Sequence, residues 1–302
     1  MPPRIAVFTK NRSNPGYEAA RIGADRAAKR LGATTVHYVP EQPDNVQEQI
    51  ALIARGIGEK PDAVLFVPVH ETAVNGAIVK FDAAGIPLFN FVTRTTAGKR
   101  VCFVGSDDRP LAMKLARYLF EKLAGKGEIV VFEGTPASAT SGERHNGFLE
   151  ALKEFPDIKV RASLRGDYLR DVARRVFVEH AAELEGIDAV LSANDYMALG
   201  VLDELAARGS SLPLVAGVNA IPEAIAAIEA GRMLATANFD PMAMTSIAVE
   251  AAMRYLKGEK IPPEIILPVQ IVDASNCAQW NKPFEARPVP TWNDATGQSP
   301  GA

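Results

Sequence analysis

The sequence has few of the residues that carry covalent or metal chemistry. It contains 2 cysteines and 4 histidines among 302 residues. Cys102 and Cys277 match none of the short paired spacings that bind zinc or run redox exchange, and two free thiols are favoured over a disulfide because few residue pairs satisfy disulfide geometry. No Gly-rich loop of the kind that cradles pyrophosphate follows the first apolar run. We therefore expect no metal, no dinucleotide and no other cofactor.

The sequence also lacks a large excess of positive or negative charge, and it lacks long apolar runs. The formal net charge is -3, so the chain offers no basic excess for coating nucleic acid. No stretch reaches the apolar length that a bilayer span needs. A composition of 47% hydrophobic and 23% charged residues is typical of a globular protein, and 302 residues suffice for two domains, each with its own core.

The first residues do not decide the cellular compartment of the protein. Met1 to Arg4 lead directly into the apolar run that starts at Ile5, without the basic and apolar regions of a signal peptide. Two interpretations follow, a cytoplasmic protein or an exported one whose signal peptide was replaced by a starting Met. The choice between them depends on the fold and function.

The pattern between Arg4 and Asn238 predicts an α/β fold. Short runs rich in Val, Ile and Phe alternate with helical patterns, which is typical of βαβ units around a parallel sheet. Residues 17–31 have alanines at helical spacing, and Gly32 is placed to end that helix. Similar helix ends are predicted at Gly56, Gly85, Gly125, Gly209 and Gly231. The predicted strands are residues 4–8, 34–39, 63–67, 88–92, 102–104, 129–133, 159–164, 189–192, 214–216 and 234–237.

So many strands predict two doubly wound parallel-sheet lobes. A polar, glycine-bearing turn at residues 105–108 marks the first boundary. After Asn238, a helix over residues 241–256 and a strand over 265–272 are expected to return to the first lobe. The predicted lobes are residues 1–105 plus 240–268 and residues 106–239 plus 269–276. Residues 277–302 lack periodicity and are expected to form an irregular tail.

Polar residues follow the predicted strands, at the sheet edge where open α/β proteins bind ligands. They include amides, hydroxyls and guanidinium groups, whose fixed hydrogen-bond directions suit a polyhydroxylated ligand, and aromatic rings suit its C–H faces. Any one of these residues also fits a helix cap or a turn. Their coincidence at the same edge in both halves favours a binding site. The candidates are Asn14, Tyr17, Thr93, Arg94, Arg144, Tyr168, Asn194 and Asn219.

Three segments carry a resemblance to a known family. They are IAVFTKNRSNPGY from Ile5, GERHN followed by GFLEAL from Gly142, and AVLSANDYMALGVLDEL over residues 189–205. Up to about Ser275 the chain resembles the ribose-binding protein group of periplasmic sugar-binding proteins. The resemblance implies a type I periplasmic binding fold with a three-segment hinge, at residues 104–106, 237–239 and 268–272.

The same resemblance implies roles for the candidate residues. Asn14, Tyr17, Thr93 and Arg94 fall on the first lobe's side of a cleft, and Arg144, Tyr168, Asn194 and Asn219 fall on the second lobe's side. Phe239 takes a place often held by an amide, where a ring adds a stacking surface and removes two hydrogen-bonding groups.

The chain also departs from the family pattern. Thr93 stands where an acid commonly precedes the arginine, and Asn219 stands where a second acid is common. With Arg94 and Arg144 retained, we expect a cleft more cationic than a pyranose site. A neutral monosaccharide or polyol is favoured as ligand, and a sugar acid remains the alternative.

The resemblance implies capture of a carbohydrate or polyol by hinge closure, followed by delivery to the membrane permease of an ABC transporter. We expect a periplasmic monomer that is not an enzyme and binds no nucleic acid. His145 and His70 suggest no catalytic arrangement, and a turn-capping role is favoured for His70. One alternative is the ligand-binding core of a lac-repressor-type regulator; because the first strand begins at Arg4, no DNA-binding headpiece is expected before it unless that segment was removed. Another is an enzyme on a similar scaffold.

Overall fold

The computed structural model describes residues 1–209 and 212–297. The chain forms two compact units. Unit 1 consists of Met1–Ser106, Asp240–Pro268 and Phe284–Ala302, and unit 2 consists of Asp107–Phe239 and Val269–Pro283. The chain therefore passes between the units at four places, and the passage at Pro283 adds to the three that the family resemblance implies.

Unit 1 is built on one parallel sheet. Its strands lie in the order β11-β5-β4-β3-β1-β2, and every described pair is parallel. The elements are β1 (Arg4–Phe8), α1 (Pro15–Leu31), β2 (Thr34–Tyr38), α2 (Val46–Gly58), β3 (Ala63–Phe66), α3 (Asn75–Ala83), β4 (Leu88–Phe91), β5 (Arg100–Gly105), α9 (Pro241–Leu256), β11 (Glu264–Ile266) and α10 (Trp292–Thr296).

The core of unit 1 follows from its apolar strands. All four residues of β3 and all four of β4 are buried, as expected for strands covered by helices on both faces. Phe8 on β1 stacks on Tyr38 of β2, with ring centroids 4.5 Å apart. On the other face, α9 packs against α1, where a Cβ on Gly23 would overlap the Met242 carbonyl oxygen. The glycine therefore sets how closely these two helices approach.

Unit 2 is built on a second six-stranded sheet. The order is β12-β10-β9-β8-β6-β7, parallel except for the antiparallel pair of β10 and β12. The elements are α4 (Asp108–Lys122), β6 (Lys126–Glu133), α5 (Ala139–Leu152), β7 (Asp157–Arg165), α6 (Arg170–Glu179), β8 (Ala189–Ser192), α7 (Asp195–Arg208), β9 (Leu214–Val218), α8 (Pro222–Glu229), β10 (Ala235–Ala237) and β12 (Ile271–Asp273).

The prediction of one strand over residues 265–272 is wrong. The segment forms β11 in the first sheet and β12 in the second. Pro268 lies between them, and a proline has no N–H with which to continue a ladder.

The predicted helix end at Gly56 is also wrong, because Gly56 lies inside α2. Its missing side chain instead makes room for the Phe8 ring, whose Cζ would lie 2.7 Å from an added Cβ.

The tail predicted to be irregular contains short ordered elements. These are 3₁₀ helices at Cys277–Gln279 and Phe284–Ala286, and the helix α10. Trp292 opens α10, is 5% exposed and lies under the Arg254 guanidinium of α9. Because elements this short carry too few residues to show a period, the sequence pattern did not reveal them.

The fold class predicted from the sequence, two parallel-sheet α/β lobes, is confirmed. Cys102 on β5 and Cys277 are buried free thiols, as the spacing argument favoured. None of the helices in residues 1–209 and 212–297 combines the length and the apolar character needed to cross a bilayer.

Candidate functional site

Arg144 is the fixed centre of the candidate site in unit 2. It lies in α5 and is only 2% exposed. Its Nε donates a hydrogen bond to Oδ1 of Asp108 at 2.8 Å, and its Nη1 donates to the Ala193 carbonyl at 2.6 Å. Asp108 is the first residue of α4, and Ala193 directly follows β8. The guanidinium is therefore held at the carboxyl end of β8 by two different elements.

Phe239 completes the surroundings of this arginine. The chain turns directly after β10, where the Phe239 N–H donates to the Ala237 carbonyl at 2.8 Å. The Arg144 guanidinium carbon lies 4.6 Å from the centre of the Phe239 ring, within the range of a cation–π contact. The ring, which is 1% exposed, thus packs on the arginine. Its stacking on a ligand stays a prediction.

Asn194 and Tyr168 lie on neighbouring loops of the same sheet edge. Asn194 caps α7, since its Oδ1 accepts from the Met197 N–H at 2.9 Å, and its Nδ2 donates to the Tyr168 carbonyl at 3.3 Å. The Tyr168 ring lies over Gly134, where a Cβ would overlap the ring. A single amide therefore caps a helix and also ties down the loop after β7. The caps foreseen for such asparagines are present, and their ligand contacts remain predictions.

Asn219 lies in a strained turn after β9. Its φ is 119° and that of Ala220 is 49°, both in the region that favours glycine. Asp167 and Tyr168, after β7, have φ values of 52° and 63°. Strained backbone of this kind concentrates at functional sites. The Asn219 Nδ2 donates to the Phe239 carbonyl at 3.4 Å, which joins the turn to the residue that packs on Arg144.

The five candidates of unit 2 are consequently brought together. Tyr168 contacts Asn194, the neighbouring Ala193 accepts from Arg144, Arg144 packs on Phe239, and Phe239 accepts from Asn219. Carboxamide, guanidinium and ring thus share one edge, where they can donate to hydroxyls, accept from them and cover an apolar face.

Asp195 and Asp108 support this edge, and neither was predicted from the sequence to have a supporting role. Asp195 is fully buried, and it accepts from the Thr236 hydroxyl at 2.7 Å and from the Ile221 N–H at 3.0 Å. These hydrogen bonds connect the start of α7 to the loop after β9 and to β10. Asp108 accepts the hydrogen bond from Arg144 described above. A position in the first turn of a helix gave only a capping signal for such an acid.

In unit 1, the candidates Asn14 and Tyr17 lie at the start of α1. Asn14 is the N-cap, with its Oδ1 accepting from the Gly16 N–H at 2.9 Å. Arg21 holds the loop between β1 and α1 by donating from Nη1 to the Thr9 hydroxyl and the Asn11 carbonyl, each at 3.2 Å. Burial, with the charge of Arg12 as a smaller cause, lowers the pKa of Arg21. This loop occupies the carboxyl end of β1, as the sequence predicted.

Thr93 and Arg94 follow β4, on the other side of β3. Val92 has a φ of 61°, which is rare for a β-branched residue, and Thr93 is buried. Asn90, which was not among the sequence candidates, holds this turn. Its Nδ2 donates to the carbonyls of Phe66 and Thr93 at 2.7 and 2.9 Å, and its Oδ1 accepts from the Thr95 N–H at 2.8 Å. Only the presence of an amide within an otherwise apolar strand could have indicated this role.

The expectation of a cleft more cationic than a pyranose site stays a prediction, although each of its two arginines has a carboxylate partner. Arg94 donates from Nη2 to Oε1 of Glu264 at 2.7 Å and lies 4.0 Å from the centre of the Phe103 ring. Arg144 is paired with Asp108 at 2.8 Å. Both family acids are absent from the expected loops, but other elements, β11 and α4, supply a carboxylate to each arginine. Sequence position alone did not reveal these pairings.

The histidines near the strand ends form no catalytic pair. His70 Nδ1 accepts from the Thr72 and Ala73 N–H groups, both at 3.2 Å, which fits the turn-capping interpretation. His145 Nδ1 lies 3.6 Å from Oε1 of Glu133, beyond hydrogen-bond distance. The Ser163 hydroxyl donates to that same carboxylate and not to the imidazole. The described residues around His145 therefore lack the nucleophile–base bond that covalent catalysis uses.

Comparison with known proteins agrees with this architecture. Residues 5–260 match the family model described as periplasmic binding protein domain, and the chain belongs to that family. The chain is 28% identical over 267 residues to the D-allose-binding periplasmic protein of Escherichia coli K12, covering 85% of this chain and 86% of that protein. It is 28% identical to the ribose import binding protein of the same organism, covering 89% and 90%.

Solved structures extend the comparison. An ABC transporter periplasmic solute-binding protein from Actinobacillus succinogenes 130z, crystallised with bound D-allose, superposes with a TM-score of 0.86 at 28% identity. The match covers 91% of this chain and 99% of that one. The predicted family resemblance is thus confirmed.

Proposed function

We propose that the protein is the solute-binding component of an ABC-type importer and binds a neutral monosaccharide or polyol. The observation that carries the proposal is the contact-linked group of Arg144, Tyr168, Asn194, Asn219 and Phe239 at the carboxyl edge of the unit 2 sheet. Its members combine directed hydrogen-bonding groups with apolar rings, the combination that sugar recognition needs.

The relatives support the substrate class. Those described above are named for D-allose and ribose, and another, from Actinobacillus succinogenes, is named a D-apiose import binding protein and is 27% identical over 283 residues. By the same analogy we propose a periplasmic location, a membrane permease as partner and binding without chemical conversion. The assignment of Asn14, Tyr17, Thr93 and Arg94 to the same solute, with closure around it, rests on the sequence resemblance.

A thermal-shift panel followed by calorimetry tests the proposal. The panel contains D-ribose, D-allose, D-apiose, xylitol, myo-inositol and glycerol. A ligand that binds only the folded protein stabilises it by about 2.7 kcal/mol at a hundred times its Kd. We expect at least one of these neutral compounds to raise the melting temperature and to be recovered unchanged after incubation. Failure of all six, or recovery of a converted product, contradicts the proposal.

A further inference from the structure

The two arginines near the strand ends differ in how their charges are compensated. Arg144 and Asp108 form an ion pair in which the side chains are only 3% and 10% exposed. Arg94 and Glu264 form a pair in which the side chains are 41% and 43% exposed. Solvent and salt screen the second pair strongly and the first pair weakly. The electrostatic field at the unit 2 edge is therefore set by protein groups more than by solvent.

The helices that carry Arg144 and Asp108 pack closely against each other. Within unit 2, α4 packs along α5, and a Cβ on Gly147 would overlap the Arg109 carbonyl oxygen. Arg109 and Glu150 form an ion pair across the two helices, and Arg117 of α4 forms an ion pair with Glu154, which lies just beyond the end of α5. The packing of α4 against α5 therefore fixes the distance between the backbone positions that carry Asp108 and Arg144.

The position of Asp108 also favours its negative charge. It lies in the first turn of α4, where the unsatisfied N–H groups and the helix dipole stabilise an anion. A carboxylate in this position stays beside the guanidinium and offsets its charge. A second carboxylate brought to Arg144 would meet this first one at close range, where like charges disfavour each other. An uncharged hydroxyl meets no such penalty, because it can accept from a guanidinium and donate to a carboxylate.

We propose that Asp108 is the residue that sets the charge selectivity of the site, by reserving Arg144 for uncharged ligands and excluding sugar acids. This inference rests on the proposed function and adds a determinant that the sequence candidates do not include. Asp108 acts through Arg144 and is therefore a positioning residue with an electrostatic effect on selectivity.

The test compares matched pairs of neutral and acidic ligands, D-ribose with D-ribonate, D-allose with D-allonate, and xylitol with D-xylonate. Calorimetry on the wild-type protein is expected to give at least tenfold tighter binding of the neutral member. In Asp108→Asn, which removes the charge and keeps the shape, we expect this ratio to fall at least tenfold. Asp108→Glu, which restores a carboxylate, is expected to keep the wild-type preference.

Glu150→Gln is the matched control. It removes an ion pair between the same two helices, but one whose side chains are 46% and 32% exposed and which does not include Arg144. We expect its neutral-to-acid ratio to stay within twofold of wild type. An equal change in Glu150→Gln and Asp108→Asn overturns the inference, because the effect then belongs to helix packing.

A measurement on the wild-type protein covers the case in which Asp108→Asn does not fold. The neutral-to-acid ratio is measured at about 0.05 M and about 0.5 M salt, and because a buried pair is little screened we expect it to change less than twofold. A neutral-to-acid ratio that falls to one at high salt overturns the inference. A folded Asp108→Asn variant that keeps the wild-type ratio also overturns it, including the case in which its affinities for the neutral and the acidic ligand fall equally. Wild-type protein that binds no neutral member contradicts the proposed function itself.

Discussion

The two units repeat one arrangement of strands with different edges. Unit 1 has the order β2-β1-β3-β4-β5-β11 and unit 2 the order β7-β6-β8-β9-β10-β12, so each strand has a counterpart in the other sheet. The last strands differ, because β11 is parallel to its neighbour and β12 is antiparallel. The shared order places the loops after corresponding strands at corresponding edges. The chemistry of each edge is then decided by the residues that those loops carry.

The two edges hold their functional groups by different means. In unit 2 the candidates contact one another through Arg144, which is almost fully buried. In unit 1 the candidates lie on two loops separated by β3, and Arg94 is half-exposed. A pre-formed group loses little freedom when a ligand binds, whereas exposed side chains must be ordered at that moment. We infer that unit 2 supplies the larger and more specific share of the binding energy.

The largest expected difference, in both stability and ligand affinity, is between the variants Arg144→Ala and Arg94→Ala. Loss of Arg144 breaks its buried ion pair with Asp108, at a cost of about 3 kcal/mol in the free energy of unfolding. It should also weaken ligand binding more than about tenfold, since charge-assisted hydrogen bonds are lost. Loss of Arg94 breaks an exposed pair and should cost under about 1 kcal/mol in stability, with a smaller loss of affinity.

Urea denaturation and calorimetry of these two variants measure both effects. The double variant Arg144→Gln with Asp108→Asn is the control, because it removes both charges together and should recover much of the stability but not the binding. Equal destabilisation by the two alanine variants would break the contrast between a buried and an exposed pair.

The next comparison is between two asparagines that hold loops. Asn90 in unit 1 is fully buried with three hydrogen bonds, and Asn90→Ala leaves backbone groups of Phe66, Thr93 and Thr95 without these partners. We expect a loss of about 2 kcal/mol in stability. Asn194→Ala in unit 2 removes a helix cap and should cost about 1 kcal/mol. Thermal unfolding ranks the two variants, and the reverse order would show that the turn after β4 is held by other contacts.

Much of this fold was predictable because periodicity and strand-end chemistry are local properties. Residues 189–192 predict β8 and residues 241–256 predict α9 with the bounds that the structure has, since buried apolar runs and a Pro near a helix start are visible in the sequence alone. The strand over 265–272 failed because a single proline divides it between two sheets. The polar residues after the strands were identifiable for the same local reason.

What could not be predicted depends on contacts between distant residues. Asp108 and Arg144 are 36 residues apart, and Arg94 and Glu264 are 170 residues apart. The sequence shows that two family acids are missing from their loops, and it does not show that α4 and β11 supply others. Charge at a site is thus a tertiary property. Counting acids in the binding loops alone leaves out the carboxylates that pair with Arg94 and Arg144.

The smallest effect concerns a hydrogen bond from a tyrosine to a carboxylate in each unit. In unit 2, Tyr118 donates to Oδ2 of Asp273 at 2.6 Å, and in unit 1, Tyr38 donates to Oε2 of Glu59 at 2.9 Å. Hydrogen bonds from Ser275 and then Tyr118 hold the pKa of Asp273 below its ordinary value. Stability from this lowered pKa is present above about pH 4, the ordinary range of an aspartate, and is lost as the pH falls through the native pKa.

Tyr118→Phe should therefore cost about 1 kcal/mol at pH 7, and the difference from wild type should shrink toward pH 3 as Asp273 gains a proton. Tyr38→Phe is the matched variant and should have a smaller effect, because Arg55 contributes more than Tyr38 to lowering the pKa of Glu59 and still holds that carboxylate. Urea denaturation of wild type and both variants at the two pH values measures this. A Tyr118→Phe difference that is the same at pH 7 and pH 3 would mean that the hydroxyl stabilises unit 2 independently of the Asp273 charge.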